Sequence, residues 1–303
     1  MISKKESTVG TLVKKKMFAP KLHRISFINL CIVILLSLFI VVPFAMMFLT
    51  SFKTMTEIFE APSRPLVSRI WPDSFSFNNY RLIITGEARQ LNGVSFLVFI
   101  KNSFITSIGA IVPAILMSCL AAYGFSKFKF PGKIIFYYML LMLLMIPMEM
   151  ISIPLFQVIA RWRLVDTYIG IMLPGAISAF GIFLMKENYD TIPIDYIEAA
   201  RLDGQSEFGI FFKIIAPMST GAMMTFLVIK FTQNWNSYFW PLIVVSTESK
   251  KTVTLGLSKF TSDLFQQWNE LTAAVVLSLI PTLLLFIFFK DRIIRGLMRS
   301  GLK

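Results

Sequence analysis

Residues 195–217 read DYIEAARLDGQSEFGIFFKIIAP, a polar island between long apolar runs. Pro193 fits the first helical position, where its missing N–H costs nothing. Glu198, Ala199, Ala200, Arg201 and Leu202 are good helix formers that carry a helix to Asp203 and Gly204. Gly204 can take the left-handed conformation that ends a helix, and Asp203 is placed to cap the next one. Phe208, Phe211, Phe212 and Ile215 then recur at helical spacing until Pro217 breaks the pattern. The spacing predicts two short helices joined by a tight turn. Ala199 and Ala200 are small enough to let the first lie close in a partner's groove. A solvated loop with an incidental bend is the alternative.

What flanks this island is too apolar for a soluble chain of 303 residues. Hydrophobic residues make up 55% and charged residues 16%, with a mean hydropathy of +0.69. That composition predicts a bilayer-embedded protein. Charge-free runs long enough for roughly 30 Å of hydrocarbon begin at Ile25–Leu49 and Asn102–Ser126. Ile134–Ala160, broken by Pro147, Glu149 and Pro154, is a third, and Thr167–Met185 a fourth. Met218–Val245 and Leu271–Phe289 complete an expected six. The expected fold class is therefore an all-α membrane protein of six spans.

The expected divisions follow from these runs. Residues 1–24 form a basic tail, 25–95 the first span and an external loop, 96–290 the core, and 291–303 a second tail. Basic residues outnumber acidic ones, 30 to 17. They gather in the N-terminal arm, at Lys127, Lys129 and Lys133, and from Lys290 onward. By the positive-inside bias this places both termini in the cytoplasm, and residues 186–217 with them. A basic excess found mainly at the ends of apolar runs predicts lipid and not nucleic acid as the surrounding partner. Cys31 and Cys119 lie within apolar runs as small hydrophobes, and the single His23 leaves no material for a metal site or His-based catalysis.

Glu198-Ala199-Ala200, then Gly204 and Pro217, resemble the cytoplasmic EAA signature of ABC-importer permeases, departing from it at Gln205 and Ala216. Ser51 to Thr54, Glu57 to Phe59, Pro62 and Asn79-Tyr80 resemble the first external loop of the MalG-like, carbohydrate-importing branch. Trp235-Asn236 followed by Pro241-Leu242 is similar to the same point in those permeases. The resemblance implies a type I importer permease in a bacterial cell membrane. It implies as partners a second homologous permease, two ATPase subunits that bind ATP and Mg, and an extracellular sugar-binding protein. Glu198, Ala199, Ala200, Asp203 and Gly204 would then couple to the ATPase.

The chain itself carries no catalytic grouping. Its only Gly-Lys pair, Gly132-Lys133, has Lys127 where a phosphate-binding loop needs its first Gly. No cofactor is expected on this chain. Asn234, Trp235 and Asn236 put amides and an aromatic ring within an apolar run, a combination that suits sugar hydroxyls and ring faces and equally suits helix–helix packing. Glu149 and Lys230 are ionisable groups in apolar runs. They are candidates for the substrate path, with interfacial exposure the alternative for Glu149 and snorkelling for Lys230. A permease for another solute, such as a glycerol phosphoester, and a membrane scaffold without transport are the alternative functions.

Overall fold

The computed structural model describes residues 27–63, 65–261 and 267–300. The expected N-terminal tail, the first two residues of the expected first span and residues 301–303 lie outside the described residues. Every regular element among those described is helical. The chain divides into two units, one up to Met46 and one from Met47. The first unit holds most of α1, Phe27–Thr50, a charge-free helix of 24 residues. At 1.5 Å per residue it is roughly 36 Å long, enough to cross a bilayer.

The second unit is built around α3, Phe96–Lys127. Ala110, Ala114, Ser118 and Ala122 recur every four residues on α3 and are all buried. Small side chains in register let neighbouring helices come close, which is how helices associate where water gives no drive. α7, Ala179–Asp190, and α10, Thr220–Trp235, pack against α3. At their meeting point a Cβ on Gly181 would come within 2.3 Å of the Phe226 ring and 2.5 Å of Ser118 Oγ. The last helix, α13, Trp268–Ser300, packs on α10 and on α2, Asn78–Thr85.

Among the described residues, four helical segments are long and apolar enough to cross a membrane, and two bent pairs raise the number to six when each pair is counted as one span. The expected third span is one of these pairs. α4, Lys133–Leu143, and α5, Met148–Arg161, are bent by 101°. Pro147 caps α5 in an extended conformation, and a residue before proline is held away from the helical region, so α4 cannot run through. The expected fifth span, Met218–Val245, is also interrupted. α10 ends at Trp235, and a separate α11 covers Phe239–Val244. Pro241 has no N–H to give to the Ser237 carbonyl, so a continuous helix would leave that carbonyl bare. Thr254 Oγ1 donates to it instead, at 2.6 Å.

The segments expected to lie in the first external loop are held by their own polar residues. Thr54 and Glu57 form a capping box at the helix Met55–Phe59, and the Asp73 N–H donates to Glu57 Oε1 at 2.9 Å. Asn79 Nδ2 donates to the Ser51 and Lys53 carbonyls, and Asn79 Oδ1 accepts from Asn269 Nδ2. Ser51 Oγ and the Tyr80 hydroxyl are 2.6 Å apart. The residues that carried the resemblance here serve structure.

Candidate translocation cavity and coupling loop

The polar island folds as two helices, α8, Asp195–Leu202, and the short α9, Glu207–Ile210. Gly204 is left-handed at φ 74°. Its N–H bonds the Arg201 carbonyl and the Gln205 N–H bonds the Ala200 carbonyl, which together make a Schellman stop. Three local expectations need correction. Asp203 ends α8 and does not cap α9. Ser206 does that, its Oγ accepting from the Gly209 N–H. Pro193 lies in the turn before α8, which begins at Asp195. Pro217 is absorbed by a π-helical turn, Phe211–Ile215, and the chain bends by 77° at Ser219 instead. The wide turn routes the Ala216 N–H to the Phe211 carbonyl, so the missing donor of Pro217 leaves the helix intact.

One face of this helical pair is buried and the other bare. Ile197, Ala200, Ile210, Phe211 and Ile215 enter a core with Tyr123, Met185 and Tyr189. Tyr196, Glu198, Ala199, Leu202, Phe208 and Phe212 are exposed, Leu202 at 90%. Of the small pair, then, Ala200 packs inward and Ala199 faces out. Glu207 ties the unit together. Its Oε1 accepts from Arg201 Nε at 2.7 Å, and its Oε2 from the Tyr123 hydroxyl at 2.7 Å. That links α8, α9 and the end of α3.

The second feature is a cavity of about 310 Å³ lined from α3, α10, α11 and the segments between them. Lys230, Gln233, Asn234 and Ser237 come from α10 and the turn after it, and Thr106 from α3. Pro174 and Gly175 come from the 3-10 turn Leu173–Ala176 that follows α6, Tyr168–Met172, and Thr252 from the segment ahead of α12, Val253–Ser258. Lys230 is 9% exposed, and no hydrogen bond or ion pair reaches its Nζ among the described residues. A Cβ on Gly175 would lie 3.6 Å from that Nζ and 3.8 Å from Asn234 Oδ1, so the glycine keeps the space before both side chains open.

Of the five candidate path residues, Lys230 and Asn234 meet in this cavity. The other three do not line it. Trp235 is buried on another side of α10, with Nε1 donating to the Ser278 carbonyl and its ring stacked on Phe231 at 5.5 Å. Successive helical residues turn by 100°, which separates it from Asn234. Asn236 ends α10 and is exposed. Glu149, in the first turn of α5, is exposed as well. Sequence reasoning missed Thr106, Gly175 and Thr252, which come from segments far apart in the chain and carry no local signal.

Polar clasps join α3 and residues 166–168 to residues 246–253. Asn102 Nδ2 donates to the Ser249 and Lys251 carbonyls, and its Oδ1 accepts from the Tyr168 hydroxyl. Ser103 Oγ accepts from the Val253 N–H. Asp166 accepts from the Thr247 hydroxyl, from the Ser246 and Thr247 N–H groups, and from Lys250 Nζ at 2.9 Å. Those bonds, the Thr247 hydroxyl foremost, hold the Asp166 carboxyl below the usual carboxylate range.

Residues 114–299 match the family of binding-protein-dependent transport system inner membrane components. The chain belongs to this family. It is also similar to the arabinooligosaccharides transport system permease protein AraQ of Bacillus subtilis, 30% identical over 89% of this chain and 92% of the relative. The sn-glycerol-3-phosphate transport system permease protein UgpE of Pectobacterium atrosepticum is 34% identical over 80% of this chain and 85% of its own length. In fold the permease matches a chain of a bacterial ABC transporter involved in the import of the acidic polysaccharide alginate. The TM-score is 0.75 at 23% identity, over 90% of this chain and 98% of that one. The fold is thus that of an ABC importer permease.

Proposed function

We propose that this permease forms half of the solute path of an ATP-driven, binding-protein-dependent importer for sugar-type solutes. In this reading a second, homologous permease completes the path. Two ATPase subunits, which hold ATP and Mg, dock on residues 186–217, and an extracellular binding protein delivers the solute. Both termini lie in the cytoplasm. The relatives support the solute class, since one is named for arabinooligosaccharides and another for sn-glycerol-3-phosphate.

The observation that carries the reading is the two-faced helical pair. An apolar face left bare on a short helix–turn–helix, with Glu198 and Ala199 on it, suits a cleft on another protein. The buried face and the Glu207 bonds tie the pair to α3, so displacement of α8 is passed to a helix that lines the cavity. Ala200, Asp203 and Gly204 act by shape: the first packs inward, and the other two set the turn. Lys230 and Asn234 lie on the path. Trp235, Asn236 and Glu149 stand outside the cavity and are assigned no contact with solute in it.

The test is a mild-detergent pull-down from the native membrane, paired with the substitution Glu198→Lys. The expected result is co-purification of a second permease and an ATPase stimulated by a loaded binding protein. Glu198→Lys should insert normally and lose either the ATPase or the link between hydrolysis and uptake. Partners without an ATPase, or normal uptake by the variant, would count against this function.

A further inference from the structure

We infer that the cavity binds a solute carrying an anionic group, a carboxylate or a phosphate on a sugar or polyol, and that Lys230 is its counter-charge. The inference rests on the reading of this cavity as part of the solute path. Its ground is an imbalance of charge. A cation inside a membrane-spanning helix is costly unless something compensates it, and removing the partner of a buried charge is among the larger single losses a protein suffers. Lys230 sits in the last third of α10, nine-tenths buried, with no ion-pair or hydrogen-bond partner among the described residues, and no Asp or Glu lines the cavity around it.

A long stem that snorkelled would carry its ammonium to an end of the span. Here the ammonium stays in the cavity, close to Gly175. The neighbouring group points the same way. Asn234 Nδ2 is buried without a partner one helical turn further on, and Gln233, Thr106, Ser237 and Thr252 add amide and hydroxyl groups. An ammonium lacking an acceptor, in a cavity lined by amide and hydroxyl groups and by no carboxylate, makes a receptor for an oxygen atom that bears charge. Such bonds are about twice as strong as neutral ones. A neutral sugar would satisfy the amide and hydroxyls and leave the ammonium without a counter-charge. At about 310 Å³ the space is at the small end of ligand pockets, which suits one or two sugar-sized units at a time. A carboxylate of the partner permease is the competing occupant. The open space in front of Nζ, kept by Gly175, favours something that comes and goes.

The experiment uses the complete transporter, purified with its partner subunits and binding protein and reconstituted in vesicles. Uptake is measured for sn-glycerol-3-phosphate and a digalacturonate as anionic probes, and for maltotriose and an arabinotriose as neutral ones. The expected result is import of at least one anionic probe, lowered tenfold or more by Lys230→Gln and largely restored by Lys230→Arg. Import of neutral probes alone by the unaltered complex overturns the inference whatever the variants do, and leaves the importer itself standing. An anionic probe imported equally fast by Lys230→Gln overturns it too. Loss of the partner permease from Lys230→Gln, with retention in Lys230→Arg, assigns the lysine to a carboxylate of that subunit and overturns it as well. A complex that hydrolyses ATP for no probe and binds no loaded binding protein removes the importer reading together with this one.

Discussion

Asn234 and Trp235 are adjacent in sequence and belong to different environments. Asn234 faces the cavity with its amide nitrogen unpartnered. Trp235 is packed between Phe231 and Phe104 and fixed by one hydrogen bond to the Ser278 carbonyl. Their replacements should therefore separate. Trp235→Phe keeps most of the packing and loses one buried hydrogen bond, a cost of about 1 kcal/mol. It should lower the melting temperature of the complex by a few degrees while uptake per assembled complex persists. Asn234→Ala removes a polar group from the cavity and should slow uptake severalfold with little change in melting. Melting curves and initial uptake rates on the same preparations check both. A fall in uptake for Trp235→Phe larger than that for Asn234→Ala would reverse the assignment.

Among the elements, the helix–turn–helix at 195–217 was the most legible in sequence, because its signals are local: a Gly that must be left-handed, a small pair, and aromatic residues at helical spacing. Its two helices and its turn follow from those. The cap and the bend did not follow, since Ser206 competes with Asp203 for the same role and a π-turn can take up Pro217. Glu207 carried no legible sign, because its partners are Arg201 six residues before it and Tyr123 eighty-four residues before it. An exposed ion pair such as Arg201–Glu207 contributes only about 0–1 kcal/mol to stability, so its effect is expected in position and not in melting. Glu207→Ala should retain the ATPase on the bare face of α8 and α9 and lower the amount of solute moved per ATP hydrolysed. Tyr123→Phe, which cuts one arm only, should lower it less. The ratio of uptake to hydrolysis measures this, and an unchanged ratio in Glu207→Ala would remove the carboxylate from the coupling path.

On the scale of the whole molecule, the sequence disclosed the membrane-spanning helices but not the cavity between them. Apolar runs are read from neighbours in the chain, whereas the cavity depends on Thr106, Gly175, Lys230 and Thr252 being brought together. The bonds that do so span long separations: 147 and 149 residues from Asn102 to its two carbonyls, 150 from Ser103 to Val253, and 81 from Asp166 to the Thr247 N–H. No local pattern encodes them. They also give the fold a pH dependence of definite sign. The Asp166 carboxyl titrates below its ordinary value because Thr247, Ser246 and Lys250 bond its charged form. Its stabilisation is therefore fully present above the ordinary carboxylate range and is lost as pH falls through that range toward the depressed folded value. Asp166→Asn keeps the shape and removes the charge. The melting gap between native protein and this variant should be widest near neutral pH and narrow steadily below about pH 4, where the unfolded carboxyl begins to take up its proton. Raising salt should reduce the gap only in part, because hydrogen bonds from Thr247 and Ser246 persist when the attraction of Lys250 is screened. Melting temperatures of both proteins from neutral pH to pH 3 decide the matter, and a gap that stays constant across that range would show that the Asp166 clasp holds by shape alone.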